Sequence, residues 1–417
     1  MFALCDQRSF YASCETVFRP DLRAKPVTVL SNNDGCIVAL NEYAKQFGIK
    51  KFSPYFKQRD LIKQSKGAVF SSNYTLYGEI SRRIMQTLQA EVPGYEVYSI
   101  DEGFCDFKGI PANDIKPLAL HLSQLIWQQQ RIPMGVSVAK TKTLAKLGQY
   151  AAKTYAKLGG ICVIENEQQR LWVLRHTPLS EVWGIGRQLA KKLSAMGLQT
   201  AYDLSLMGRD DAQKLFGVCL VRTVYELNNQ PCIPLEEQPD PRQNIVCTRS
   251  FGQRLTELHD IRTALVNYVA RACQKLRKQG LYANRISVFI HTSTHDAEPY
   301  YNESHCSIPG GSNDTCRCSQ FALKLLEPLF VPGYRYAKAG VGFIDLRPDT
   351  NWQLDAFCDY DRNKHSLMKV IDQINAKFEP GTIRTARQGR KALFSMKRDL
   401  LSPSYLTNWG DIPKAKT

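Results

Sequence analysis

The chain has no apolar run approaching the roughly 18 residues that a membrane-spanning helix requires. That excludes a protein anchored by such helices, and no membrane partner is expected. Its opening, Met1-Phe2-Ala3-Leu4-Cys5-Asp6, meets a carboxylate too early to form the apolar core of a signal peptide. Paired C-x-x-C hooks are missing as well. The closest cysteines are Cys316 and Cys318, with His305-Cys306 upstream, so no structural zinc is expected. The 13 cysteines are an odd number without a disulfide rhythm, which favours a reducing, cytoplasmic setting. Acids are scarce beside bases: 39 Asp+Glu face 55 Lys+Arg, leaving a formal charge of +16. Such a surplus points to a polyanionic partner, nucleic acid first. No internal repeat or long low-complexity segment is present. A hydrophobic share of 43% excludes a mainly disordered chain, and 417 residues suggest about three domains.

What is present divides into segments. Residues 2–5 read as a strand closing on Asp6, and a helix over 9–18 stops before Pro20. Strands at 27–30 and 36–39 flank Asn32-Asn33-Asp34-Gly35, whose Asp-Gly step is a hairpin signal. A small basic subdomain runs to about Gly67. Leu76, Ile80, Ile84 and Leu88 then recur at helical spacing. Strands are expected at 97–100, 104–107, 134–139 and 160–164, with helices over 115–130 and 141–157. Residues 165–230 read as short helices, and 231–241, with four prolines, as a tether. Beyond it come strands at 245–247 and 286–290 around a long helix, 257–279. A loop over 302–314, a helix over 315–329 and a strand near Val341 complete a small α+β domain. After Asp345 the chain turns polar, with an amphipathic helix around 365–377 and a basic tail.

Asp6 ends one expected strand, and Asp101-Glu102 sits where one strand gives way to the next. Three acids at strand ends can hold two Mg²⁺ ions against a triphosphate, because magnesium takes a few carboxylates plus substrate phosphates. The competing reading is an ordinary ion-pair network. Apolar neighbours in Tyr98-Ser99-Ile100-Asp101-Glu102-Gly103-Phe104 imply burial, which is costly for acids unless a cation compensates them.

Asp6 with Phe10-Tyr11-Ala12-Ser13-Cys14-Glu15, and Ser99-Ile100-Asp101-Glu102 downstream, strongly resemble the Y-family of translesion DNA polymerases, its UmuC type above all. The opening six residues, Leu30-Ser31-Asn32-Asn33-Asp34-Gly35-Cys36 and Ala139-Lys140-Thr141-Lys142-Thr143-Leu144-Ala145-Lys146 carry the same likeness. It extends over nearly the whole chain. The resemblance implies an α+β multidomain protein with the right-hand polymerase arrangement. Its palm would be 1–20 and 68–165, its fingers 21–67, and its helical thumb 166–230. A linker (231–241), an α+β little finger (242–345) and a flexible C-terminal tail (346–417) would follow.

The resemblance also implies roles. Asp6 and Asp101 would bridge two Mg²⁺ ions, and Glu102 would hold the one that activates the primer 3′-hydroxyl for attack on a dNTP. Phe10 and Tyr11 would face the nucleotide, with Tyr11 as steric gate; packing at a helix start is the alternative for Tyr11. Lys45 stands where the family usually has Arg, exchanging a bidentate fork for a point charge. Lys146 would meet the triphosphate, with Lys142 a second candidate. Gly103 replaces a common Ala. Error-prone translesion synthesis in the SOS response would follow, without proofreading.

For gripping DNA, Val182-Trp183-Gly184-Ile185-Gly186-Arg187 opens a basic helix. A Gly-x-Gly turn at a helix start offers bare N–H groups to phosphate. With Gly197 and Asp203-Leu204 downstream it reads as a helix-hairpin-helix. Between Arg242 and Arg285 nine Lys/Arg meet two Asp/Glu, and Arg249, Arg271 and Lys275 are the leading backbone contacts. Gln353-Leu354-Asp355-Ala356-Phe357 resembles a clamp-binding peptide, with Gln353, Leu354 and Phe357 as anchors and Ala356 where Leu is common. Primer-template DNA is the expected partner. A processed UmuD-type dimer, a recombinase filament and the sliding clamp are implied by the resemblance alone. A metal-dependent nuclease would share the acids without needing the Tyr11 gate, and a DNA-binding scaffold would need no acids. Mg²⁺-dependent nucleotide incorporation separates all three.

Overall fold

The computed structural model describes residues 1–236, 241–351, 362–378, 381–389 and 395–413. The chain forms two compact units, Met1–Pro239 with Asp399–Thr417, and Asp240–Arg398. Their division falls within the proline-rich stretch 231–241. Among the described residues no helix is long and apolar enough to cross a membrane.

The first unit is organised on a five-stranded sheet of β1 (Phe2–Gln7), β5 (Tyr95–Val97), β6 (Glu102–Asp106), β7 (Met134–Ala139) and β8 (Ile161–Val163), in the order β5-β6-β1-β7-β8. Only β7 and β8 run parallel. Side chains alternate across β1 as strand geometry dictates. Ala3 and Cys5 join a core with the helices Tyr74–Glu91 and Ala112–Gln130, while Leu4 faces another with the helix Lys142–Thr154. Asp6, two residues after Leu4, therefore points toward the helix Lys142–Thr154. The strand expected over 97–100 ends at Val97. Tyr98 and Ser99 both donate backbone N–H groups to the Glu102 carbonyl (3.1 and 3.0 Å), closing a tight turn that carries Asp101.

A three-stranded sheet stands beside it: β2 (Val27–Leu30), β3 (Ile37–Leu40) and β4 (Ala68–Ser71), in the order β3-β2-β4. The hairpin expected around Asn32–Gly35 joins β2 to β3, with Asn33 and Asp34 at φ +60° and +52°. Five short helices between Glu167 and Leu227 complete the core shared with Lys142–Thr154.

In the second unit the strands β9 (Asn244–Leu255), β10 (Leu281–His291), β11 (Tyr301–Ser312) and β12 (Tyr336–Pro348) form an antiparallel sheet ordered β11-β10-β12-β9. The helices Leu258–Lys278 and Thr315–Leu326 share one core with it. The loop expected over 302–314 is strand β11. It lies at the sheet edge, where a mostly exposed, polar strand keeps further strands from pairing. That polarity is what made it look like loop. Within the stretch read as tail, residues 362–377 are helical and residues 399–413 belong to the first unit.

Candidate active site

Register brings the first two acids together. Asp6 of β1 pairs with Glu102 of β6, so their side chains share the face covered by Lys142–Thr154. Asp101 sits one residue earlier, where its carbonyl accepts the Gln7 N–H at 2.9 Å and its Oδ1 accepts the Ser99 hydroxyl at 2.7 Å. Asp6 is only 4% exposed. Lys153 Nζ reaches Asp6 Oδ2 at 2.7 Å, and Lys146 Nζ reaches Glu102 Oε2 at 2.9 Å.

Burial pushes the Asp6 carboxyl up to about 7; Lys153 pulls it down, and the hydrogen bond and charge of Glu102 push it up again. Burial also lifts Glu102, but Lys146, the hydrogen bond with Asp6 and Lys153 together hold it below its usual range. The hydrogen bond between the two carboxyls couples them, raising Asp6 and lowering Glu102.

Among the described residues no three His, Cys, Asp or Glu side chains converge on one point as a metal would require. The lysines supply the positive charge here, and Asp101 is tied to Ser99. The donor set nevertheless suits Mg²⁺: a buried and a partly buried carboxylate joined by a hydrogen bond, a third adjacent in sequence, all hard oxygen. Such a set favours a divalent cation over two competing ammonium groups.

Asp6 and Asp101, but not Glu102, open onto a cavity of about 810 Å³ whose lining also includes Tyr11, Lys45, Lys51 and Lys153. Its wall carries both carboxylates and lysines, with Lys153 paired to Asp6 and Lys45 to Glu42, a mixture that suits a ligand bringing both a cation and phosphates. Tyr11 is half-buried and stacks on Tyr77, with ring centroids 4.5 Å apart and planes at 14°. Its phenol is raised by burial and by the neighbouring Tyr74 and Asp101. Phe10 is 3% exposed and lies mainly in the core behind the same wall. Lys45 is half-exposed and pairs with Glu42 at 2.5 Å.

The lysines expected at the triphosphate part company. Lys142 is buried against Glu96 and donates to the Pro234 carbonyl at 2.6 Å, so it is absent from the cavity lining. Lys146 is boxed by Tyr98, Trp183 and Phe104, its Nζ 4.0, 5.4 and 5.9 Å from their ring centroids, and does not line the cavity either. Lys153, which the sequence reading passed over, does. The signal was available: seven residues after Lys146 is two helical turns, hence the same helix face. Arg8, also missed, lines the cavity and donates to the Ala152 carbonyl at 3.0 Å.

Elsewhere in the first unit, Gly184 has φ +90° and Gly186 caps the helix Arg187–Ala195. Gly197 at φ +92° leads to the short helix Ala201–Ser205, which a capping box of Thr200 and Asp203 opens. In the second unit Arg249 lies on β9 in step with the buried Ile245 and Cys247, on the helix-covered face of the sheet. It lines a cavity of about 370 Å³ with Arg271, Arg384 and Arg398. Burial lowers Arg249, and the charges of Arg271 and Arg398 lower it further. Lys275 is exposed on the helix Leu258–Lys278, whereas Arg277 is committed to Asp372 at 2.6 Å. Gln353, Leu354 and Phe357 lie outside the described residues.

Comparison with known proteins identifies the family. Residues 5–149 match the impB/mucB/samB family, residues 242–356 its C-terminal domain, and residues 365–415 a domain of unknown function. Protein UmuC of Salmonella typhimurium is 43% identical, with the whole of both chains aligned. Protein SamB of the same species is 42% identical, again over both whole chains. Among solved structures, a Y-family DNA polymerase chimera built largely from Dbh superposes with a TM-score of 0.67 at 21% identity, covering 84% of this chain and all of that one. The chain belongs to the impB/mucB/samB family. Within it, this is a Y-family DNA polymerase of the UmuC type.

Proposed function

We propose that the chain copies damaged template by adding deoxynucleotides from dNTPs to a primer 3′-hydroxyl, as an error-prone polymerase of the SOS response. The observation that carries this is the register of β1 and β6, which sets Glu102 beside Asp6, while Asp6 and Asp101 line a cavity that also holds Tyr11 and three lysines. Asp6, Asp101 and Glu102 would hold two Mg²⁺ ions. When bound, such ions lower the pKa of the attacking hydroxyl and offset charge on the transferring and leaving phosphates. Lys153, with Lys45 and Lys51, draws the triphosphate into the cavity. Lys146, tied to Glu102 and braced by three rings, positions that carboxylate. Tyr11, lining the cavity, meets the sugar of the incoming nucleotide and rejects a 2′-hydroxyl by collision.

The same reading gives the remaining segments their parts. Residues 1–20 and 68–165 form the palm, 21–67 the fingers and 166–230 the thumb, with 242–345 the little finger. The Gly184–Gly186 turn and Arg187 hold one stretch of duplex backbone, and Arg249, Arg271 and Lys275 hold another. Residues 353–357 would dock the sliding clamp. A processed UmuD-type dimer and a recombinase filament would license activity in the cytoplasm, at the nucleoid.

Primer extension tests the reading. Asp101→Asn or Glu102→Gln should lose incorporation by several orders of magnitude while DNA binding persists, since losing a ligand removes charge compensation in the transition state. Near-normal extension by either variant in Mg²⁺ would refute the assignment. Extension across an abasic site with and without the dimer tests the licensing.

A further inference from the structure

Residues 399–413, at the far end of the sequence, complete the floor beneath Tyr11. Leu401 forms a parallel bridge with Ser71, and Leu400 exchanges hydrogen bonds with it: the Ser71 N–H donates to the Leu400 carbonyl at 2.9 Å, and the Leu400 N–H to Ser71 Oγ at 3.0 Å. Tyr405 is 8% exposed and stacks on Phe18, centroids 4.6 Å apart. Between these anchors lies Ser402, 4% exposed. Its Oγ accepts from Asn73 Nδ2 at 3.0 Å and donates to Glu15 Oε1 at 3.2 Å. The same Glu15 oxygen accepts the Tyr77 hydroxyl at 2.6 Å, and the Tyr77 ring is the one on which Tyr11 stacks.

The contacts thus run unbroken from Asn73 and Ser402 through Glu15 and Tyr77 to the cavity wall. Each link is buried, so none can exchange its partner for water without cost. Tyr77 can swing its ring about the Cα–Cβ bond only by giving up Glu15, because that rotation carries the hydroxyl away, and Tyr11 can drop back from the cavity only if Tyr77 moves.

We propose that residues 399–413 are a positioning element for sugar selection: Ser402, through Glu15 and Tyr77, fixes how far the Tyr11 ring projects into the cavity. The segment falls in the part of the chain that matches a domain of unknown function, and the assignment gives it a task. It rests on the reading of Tyr11 as the gate. It adds that the gate's stiffness comes from the opposite end of the sequence.

The test is kcat/KM for matched ribo- and deoxynucleotides with wild type, Tyr11→Ala, Ser402→Ala, Ser402→Thr and the Tyr11→Ala/Ser402→Ala double variant, each checked by thermal unfolding. Ser402→Ala should lower the deoxy-to-ribo preference about three- to tenfold, the equivalent of one buried hydrogen bond. Deoxynucleotide incorporation should stay near normal, and Ser402→Thr, which keeps the hydroxyl, should restore the preference. In the Tyr11→Ala background Ser402→Ala should change the preference no further, because the element acts through that ring. A wild-type preference in Ser402→Ala, beside a relaxed one in Tyr11→Ala, overturns the proposal alone. Equal losses from Ser402→Ala with and without Tyr11 overturn it too, marking a general packing effect. An unchanged preference in Tyr11→Ala removes the gate reading and the proposal with it.

Discussion

Gly103→Ala, which installs the residue common in the family, should destabilise this protein. Gly103 lies in β6 with no left-handed backbone to explain it, so the reason for glycine is space. A Cβ there would fall on the Tyr95 hydroxyl, with Cζ at 2.5 Å and Cε2 at 3.0 Å. Tyr95 is 9% exposed and donates its hydroxyl to Met85 Sδ, so moving the ring aside disturbs that contact and the core around it. Overpacking of this kind costs about 1–3 kcal/mol. Replacing glycine returns about 0.4–1 kcal/mol by restricting the unfolded chain. The net loss of about 1–2 kcal/mol corresponds to a melting point about 3–6 °C lower. Thermal and urea unfolding of Gly103→Ala, Tyr95→Leu and the double variant measure it. Leucine removes the ring, so the double variant should be more stable than the sum of the two single losses predicts. A neutral or stabilising Gly103→Ala, or strictly additive losses, would show that the Tyr95 ring is not what excludes alanine.

Three further outcomes follow. Lys153→Ala should raise the KM for dNTP about tenfold or more, since it deletes a charge in the cavity, whereas Lys146→Ala should chiefly lower kcat by loosening Glu102; steady-state kinetics on both variants distinguish them. Burial raises Glu15 from 4.5 to about 7 against the opposing hydrogen bonds of Tyr77 and Ser402. The folded state therefore binds this proton more tightly, so stability should fall by about 3 kcal/mol as pH rises through that window and level off above it. Urea titrations across that range should show the corresponding component missing from Glu15→Gln. Gly184→Ala should cost about 1–2 kcal/mol through its positive φ and weaken duplex binding, because the nearest obstacle to a Cβ, Thr223 Oγ1, is at an ordinary 3.6 Å. Unchanged melting and affinity would sever that turn from DNA.

The sequence was most legible where local rules act alone. The apolar run 2–5 marked the strand that carries Asp6, and the Asp-Gly step marked the β2–β3 hairpin. Helix spacing set out Tyr74–Glu91. Legibility failed where a tertiary crossing decides. Lys142, Lys146 and Lys153 occupy one stripe of a single helix, and sequence periodicity treats them alike. Only the angle at which that helix crosses β1 and β6 sends the first to Glu96, the second to Glu102 and the third to Asp6. Polar edge strand β11 failed for a different reason, since composition reports exposure and not pairing. The Ser402–Glu15 contact joins positions 387 residues apart, a separation at which no local pattern carries information.

That separation has a consequence for biosynthesis. At about 5–20 residues per second, about 20–80 s elapse between translation of Glu15 and of Ser402. Throughout that interval Glu15 lacks Ser402 and Phe18 lacks Tyr405, and the nascent first unit waits with an unfinished core. A polymerase domain assembled this way cannot become fully formed on the ribosome long before its last segment emerges. A protease trimming residues 399–413 would likewise disable the protein through its earliest-made part.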